Sequence, residues 1–183
     1  MKGWLIAGVI VAIVVVMGFG SYNSLVAMNE NVNGKWSQIE NQLQRRSDLI
    51  PNLVNTVKGF AAQEQQVIAS ITQARANLAG AQGPAAKAQA NSELNTALSR
   101  LLVVVENYPN LKSDQSFRQL MDELSGTENR IAVARKDYND AVQAYNTKIR
   151  TLPTSLFAGA MGFGAKEYFR AEEGARQVPQ VKF

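Results

Sequence analysis

Residues 3–20 read GWLIAGVIVAIVVVMGFG, an uncharged apolar run that sets the architecture of the chain from its N-terminus. At about 1.5 Å per residue, a helix from Trp4 to Tyr22 spans about 27 Å, close to the hydrocarbon thickness of a bilayer. Trp4 and Tyr22 stand at the two ends of this helix, where amphipathic rings settle at the level of the headgroups. We therefore expect a transmembrane anchor over residues 1–21.

A cleaved signal peptide is the alternative interpretation of the same run. Gly18 and Gly20 form a small-x-small pair of the kind that a signal peptidase accepts. However, the run is longer than the apolar region of an ordinary signal peptide, and Lys2 is the only basic side chain before it. The length favours an anchor that stays in the mature chain.

Beyond the anchor, apolar residues recur every seven positions, a pattern typical of helices with coiled-coil-like packing. The first seam comprises Tyr22, Asn29, Trp36, Leu43, Ile50, Val57, Glu64, Ile71 and Leu78. The second seam comprises Leu25, Val32, Ile39, Arg46, Leu53, Phe60, Val67 and Ala74. These seams predict one helix over residues 22–79. Pro51 should kink it or divide it in two, because an interior proline loses a hydrogen bond and clashes with the preceding turn.

Two more helices are predicted, over residues 85–106 and 114–151, with Asp114 as the N-cap of the second. Residues 107–112 are expected to form a loop, because Pro109 disfavours helical geometry at the residue before it. The predicted fold is all-α: a transmembrane helix that continues into an antiparallel bundle of long helices over residues 22–152. An apolar segment and tail follow over residues 153–183.

The composition excludes several kinds of chemistry. Among the 183 residues there is no His and no Cys, so histidine or thiolate catalysis, His or Cys zinc sites and disulfides are excluded. Glu172 and Glu173 are adjacent and diverge on a helix, and no Asp-x-Asp type of metal loop occurs. We therefore predict no enzymatic activity, no catalytic residue, no cofactor and no metal site.

Charge gives a further prediction about partners. The formal net charge is +4, and basic residues are interleaved with acidic ones rather than gathered into a stripe. This distribution predicts no nucleic-acid partner, whereas weak attraction to anionic membrane lipid is compatible with it.

Charged residues on the seams are candidates for a structural polar network. Arg46 and Glu64 fall on the seams, and Glu128 or Arg135 of the last predicted helix could pair with them. A buried ionic site for a ligand is the functional interpretation. The structural interpretation, which we favour, is a polar pair that fixes the register of the helices, the best attested role of buried charges.

The chain resembles the bacterial LemA family over nearly its full length, with DLIPNLV and GTENRIA as the most specific strings. The matching stretches are Tyr22–Val26 (YNSLV), Trp36, Gln42–Leu43, Asp48–Val54 (DLIPNLV), Val57–Lys58, Glu106–Pro109 (ENYP), Leu111–Lys112, Glu123–Ala132 (ELSGTENRIA), Tyr138–Asn139, Tyr145–Asn146, Glu172–Ala175 (EEGA) and Pro179–Phe183 (PQVKF). The resemblance implies a single-span protein of the bacterial inner membrane with a helical-bundle domain and no established catalytic activity.

Helix lengths predict an uncovered stalk next to the membrane. The helix over residues 85–106 spans only about 33 Å, so it should cover only the distal part of the helix over 22–79. The apolar face left over is a candidate interface between copies, formed by Tyr22, Leu25, Val32, Trp36, Ile39 and Leu43. Alternatively, the C-terminal segment covers this face.

These observations leave three classes of function. We expect a membrane-anchored, non-catalytic protein that self-assembles into a homo-oligomer and acts as a scaffold. An adaptor that docks a membrane enzyme, such as a protease, through a helix face is the alternative; an enzyme is disfavoured by the composition. Orientation stays open. Lys2 and the terminal amine lie on one side of the span, and Lys35, offset by Glu30, lies on the other, which slightly favours a cytoplasmic N-terminus; the family resemblance implies the opposite.

Overall fold

The computed structural model describes residues 2–170, and within them all regular secondary structure is helical. The helices are α1 (Lys2–Phe60), α2 (Gln65–Gly80), α3 (Gly83–Val105), α4 (Pro109–Ser113), α5 (Gln115–Lys148) and α6 (Ser155–Ala158). The predicted all-α fold is confirmed. Residues 171–183, with the EEGA and PQVKF stretches of the predicted tail, lie outside the described residues.

The single helix predicted over residues 22–79 is wrong, because the chain reverses at residues 61–64. The N–H of Ala61 closes the last turn of α1 on Val57, 2.8 Å away, and the N–H of Glu64 donates back to Ala61 at 3.1 Å. α2 then folds back along α1, where the Nε of Arg75 donates to the carbonyl of Ser47 at 2.9 Å. The heptad count misses this reversal because both arms of a helical hairpin bury a seam of the same period.

Pro51 lies inside α1 without interrupting it, so the alternative of two helices joined at this proline is excluded. An interior proline costs a helix about 3 kcal/mol. Ile50 and Leu53 beside it are 1% and 0% exposed, and burying each such side chain contributes about 1.5–3 kcal/mol. Packing of the flanking residues is therefore sufficient to keep the helix continuous.

The later helices follow the prediction apart from one detail. The side chain of Asp114 accepts a hydrogen bond of 2.8 Å from the N–H of Phe117, as an N-cap does at the start of α5. The predicted loop over residues 107–112 contains the short helix α4, which is a correction. Pro109 takes the first position of α4, where its fixed φ suits a helix and its missing N–H is not needed.

By its internal contacts the chain divides into two compact units. Within the described residues, unit 1 comprises residues 2–37 and 136–167, and unit 2 comprises residues 38–135 and 168–170. These units are defined by contacts and not by a membrane boundary. The predicted division into anchor, bundle and C-terminal segment therefore stays a prediction.

Unit 1 pairs the first part of α1 with the end of α5. The Nζ of Lys35 lies 3.2 Å from a carboxylate oxygen of Asp137, and the rings of Trp36 and Tyr138 pack with centroids 5.4 Å apart. Past α5 the chain turns through α6 and returns along the helices. On that return the Tyr138 hydroxyl donates to the carbonyl of Glu167 at 2.8 Å. The two helices of unit 1 are thus antiparallel, with the returning chain packed on them.

Unit 2 packs four long helical segments, which are residues 38–60 of α1, α2, α3 and residues 115–135 of α5, and it also contains the short helix α4. Polar contacts join the helices, among them the Asn77 amide to Glu93 at 3.1 Å between α2 and α3. Its core is aliphatic and almost fully buried, formed chiefly by Ile39, Leu43, Ile50, Leu53, Ile71, Leu94, Leu101, Leu124 and Ile131. Burial of these side chains holds the four helices together.

Candidate functional site

The predicted stalk face is largely covered within the chain. In unit 1, Leu25 and Val32 are 0% and 2% exposed, and in unit 2, Ile39 and Leu43 are 0% and 3% exposed. The expectation that this face lacks a partner in its own chain is therefore wrong. The physical reason is the reversal at residues 61–64, which adds one change of direction and returns α5 to the stalk.

The two aromatic residues of the stalk also have partners in unit 1. Tyr22 packs edge-to-face on Phe163, with ring centroids 5.8 Å apart, and Trp36 packs on Tyr138. Phe163 belongs to the C-terminal segment, so the alternative in which that segment covers the stalk agrees with this contact. Tyr22 nevertheless stays 44% exposed.

Arg46 is the centre of a buried polar cluster in unit 2. It is 3% exposed, and its guanidinium donates to the side-chain oxygens of Asn91, Asn95 and Glu128. The bond to Asn91 measures 2.8 Å, and the amide of Asn95 also donates to Glu128 at 3.3 Å. Three helices, α1, α3 and α5, thus meet at one charge.

Burial lowers the pKa of Arg46, and the attraction of Glu128 opposes that shift. A guanidinium stays charged in proteins even so, and a buried charge requires partners. Gln42, one turn earlier on α1, has a buried Oε1 and Arg46 has a buried Nε, and neither atom has a hydrogen-bond partner among the described residues.

The structure separates the other two residues of the predicted network from Arg46. Glu64 lies in the turn before α2, where its carboxylate accepts a hydrogen bond of 2.8 Å from the hydroxyl of Tyr108. That bond is the main reason why the pKa of Tyr108 is raised. Arg135 is exposed on α5, and its side chain forms no hydrogen bond or ion pair with another residue of the described range 2–170. The predicted network therefore reduces to the pair Arg46 and Glu128.

Sequence reasoning missed the two asparagines that complete the cluster. Asn91 precedes Leu94 by three positions and so lies on the apolar stripe of α3, and it is 6% exposed. A polar residue on an apolar stripe signals a buried hydrogen-bond partner, and this signal was present in the sequence. Asn95, which lies beside the stripe, gave no such signal.

The first part of α1 has the properties of a membrane span. It is the one helix among the described residues that is long and apolar enough to cross a bilayer. Its large side chains are exposed in the folded chain, for example Trp4 at 91%, Val11 at 62% and Phe19 at 68%. An apolar helix whose large side chains stay exposed in the folded chain is typical of a helix whose solvent is lipid.

An all-α fold with one candidate span in residues 2–170, near the N-terminus, defines a class of helical membrane proteins. The LemA family matches residues 35–183 of the sequence. The chain belongs to the LemA family.

Named relatives agree with this membership. The chain is 32% identical to magnetosome protein MamQ 2 of Paramagnetospirillum magneticum, over 87% of this chain and 68% of the relative. It is 30% identical to magnetosome protein MamQ of Magnetospirillum gryphiswaldense over the same shares, and 24% identical to protein LemA of Metamycoplasma hominis over 84% of this chain and 71% of the relative. None of these names states a chemical reaction. The family, the relatives and the apolar helix together indicate a membrane protein.

Proposed function

We propose that this chain is a membrane-anchored, non-catalytic protein that self-assembles as a scaffold at the bacterial inner membrane. The observation that carries the proposal is the apolar helix of residues 3–20, whose large side chains are 42–91% exposed in the folded chain. Lipid covers such a surface, and so does a second copy of the same helix.

The buried polar groups support a structural role. Arg46, the most deeply buried charged residue described, is engaged by Asn91, Asn95 and Glu128, and its hydrogen bonds join helices of one unit. Residues used in this way hold the fold together. The names of the MamQ relatives associate those proteins with the magnetosome, which accords with a structural role at a membrane.

Copies of the chain associate through the membrane span and not through the stalk face. Gly8 and Ala12 are four residues apart, so they share one side of α1, and a Cβ on Gly8 would meet no atom within 4 Å. Small residues at this spacing let transmembrane helices approach closely. We call this pair the small-residue face.

Light scattering on the full chain extracted in mild detergent tests the proposal. The wild type should have the mass of an oligomer, and Gly8→Ile with Ala12→Ile should reduce that mass. Ile6→Leu with Met17→Ile is the matched control, since these changes fall on the opposite side of the helix and should leave the mass unaltered.

The outcomes separate the scaffold from its alternative. A wild-type monomer that co-purifies with a second membrane protein in a fixed ratio would favour the adaptor. A wild-type monomer without such a partner would refute self-assembly, as would an oligomer that the two isoleucines do not affect at the small-residue face.

A further inference from the structure

A second stretch of unit 1 has the properties of a membrane-contacting element. Residues 151–165, here called the apolar loop, contain no charged residue and lie between Arg150 and Lys166. Within it, Leu152 and Leu156 are 74% and 70% exposed, unusual values for large aliphatic side chains in so short a stretch. Exposed apolar side chains that occur together mark a contact surface.

The two ends of the apolar loop are held close together by Asn146, in the last turns of α5. The Oδ1 of Asn146 accepts the N–H of Lys166 at 2.8 Å, and its Nδ2 donates to the carbonyl of Lys166 at 2.9 Å. One side chain therefore fixes the point at which the chain returns to α5. Residues 151–165 therefore form a loop beyond the C-terminal end of α5, and the two ends of this loop lie close together.

The apolar loop packs against the apolar run of α1 and against Tyr22, which follows that run. The Cε1 of Phe157 lies 3.9 Å from the position of a Cβ built on Gly18. Tyr22, which contacts Phe163, lies four residues further along, or about 6 Å. If Tyr22 marks the headgroups, then Phe157 touches α1 about one helical turn inside the leaflet.

An apolar groove of about 420 Å³ lies between α1 and the apolar loop. It is lined by Val14, Val15, Gly18, Phe19, Tyr22, Phe157 and Met161. The groove is continuous with the exposed side of the candidate membrane span, since Val15 and Phe19 are 49% and 68% exposed. Nothing in its lining offers a charge to a polar ligand.

We propose that the apolar loop inserts into the leaflet beside α1, and that the groove between them holds the acyl chain of a membrane lipid. Continuity with the exposed face of the span selects lipid as the occupant. The basic residues at the two ends of the loop, Arg150 and Lys166, lie where anionic headgroups would attract them. The inference rests on the proposed insertion of α1 and adds a second, shallower membrane contact to it.

The absence of Cys from the chain gives a clean test, because one introduced cysteine carries a single label. A bimane fluorophore is attached to the full-length chain at Leu156→Cys or Met161→Cys, in vesicles of phosphatidylcholine and phosphatidylglycerol. Lipids brominated on their acyl chains quench from within the bilayer, and iodide quenches from water. Ile10→Cys serves as the control within the span, and Val133→Cys, on an exposed residue of unit 2, serves as the control outside it.

Both loop labels should lose fluorescence to the brominated chains and resist iodide, as the label at position 10 does, while the label at position 133 should do the reverse. Labels at 156 and 161 that behave like the label at 133 would overturn the loop proposal alone, provided that the label at 10 is quenched by lipid. A label at 10 that iodide quenches would overturn the insertion of α1 itself. Quenching by lipid at 156 but not at 161 would refute the lipid-filled groove.

Discussion

The buried charge of Arg46 makes the stability of unit 2 depend on Glu128. Glu128→Gln keeps the size of the side chain but leaves the guanidinium with neutral partners only. Breaking a buried ion pair costs about 3–5 kcal/mol because one charge stays buried alone. The Glu128 side chain is 39% exposed and two asparagines still accept hydrogen bonds, so we expect a loss somewhat below that range, about 2–3 kcal/mol.

A double variant separates the cost of a lone charge from the value of the pair. Arg46→Met with Glu128→Gln removes the charge, and an apolar side chain of similar length fills the site. The remaining cost is the lost donor of the buried Asn91 oxygen, about 1–3 kcal/mol, with a smaller cost at the half-buried Asn95, and apolar burial offsets both. The double variant should therefore be more stable than Glu128→Gln alone.

Urea unfolding of the full chain in detergent, followed by circular dichroism, measures these differences. The neighbouring pair, Arg45 and Glu123, is the control, since its side chains are 53% and 49% exposed at 2.9 Å. Glu123→Gln should cost less than about 1 kcal/mol. The reasoning is refuted if Glu128→Gln costs no more than Glu123→Gln, or if the double variant is the least stable of the set.

Three further predictions concern single side chains. Burial raises the pKa of Tyr138 to about 12 from its ordinary value of 10.0, so the stability that its neutral hydroxyl provides is complete below pH 10 and lost as the pH rises toward 12. In the wild type, the free energy of unfolding should therefore fall by up to about 1.4 kcal/mol per pH unit in this range, and Tyr138→Phe should reduce that slope. Urea unfolding at a series of alkaline pH values measures it. Ile39→Ala should cost about 2–4 kcal/mol, since this side chain is fully buried, without changing the oligomeric mass in light scattering; a change of mass would indicate that Ile39 lies between copies. Asp114→Ala should cost about 1 kcal/mol in thermal unfolding by removing the N-cap of α5, whereas Asp114→Asn should cost little; equal losses would contradict the capping role.

The fold could be predicted from the sequence wherever periodicity and local signals act alone. The helices predicted over 85–106 and 114–151 correspond to α3 and α5, and Asp114 caps α5 as a short acidic side chain before an amphipathic run should. The turn at residues 61–64 has no proline. The seven-residue spacing of the seams continues across these four residues, so the pattern does not reveal a reversal. That turn depends on tertiary packing, which buries Ile68, Ile71 and Leu78 of α2.

The candidate sites depended on the same missing turn. Without it, the stalk residues Leu25 and Val32 were expected to lack a partner in their own chain. The pairing of Arg46 with Glu128 was within reach of sequence reasoning because both lie on apolar faces, and burial selects opposite charges as neighbours. The contact of Glu64 with Tyr108 was not, since it joins two turns whose approach only the fold determines.

The different surroundings of the two tryptophans have a spectroscopic consequence. Trp4 is 91% exposed in the apolar run, while Trp36 packs 5.4 Å from the ring of Tyr138. The fluorescence emission of Trp4 depends on whether water or lipid surrounds the start of α1. The emission of Trp36 depends on whether α5, which carries Tyr138, is packed against it. Substituting either one by phenylalanine leaves a single tryptophan. Excited selectively, it reports partitioning into lipid in one variant and the melting of unit 1 in the other, without an added label.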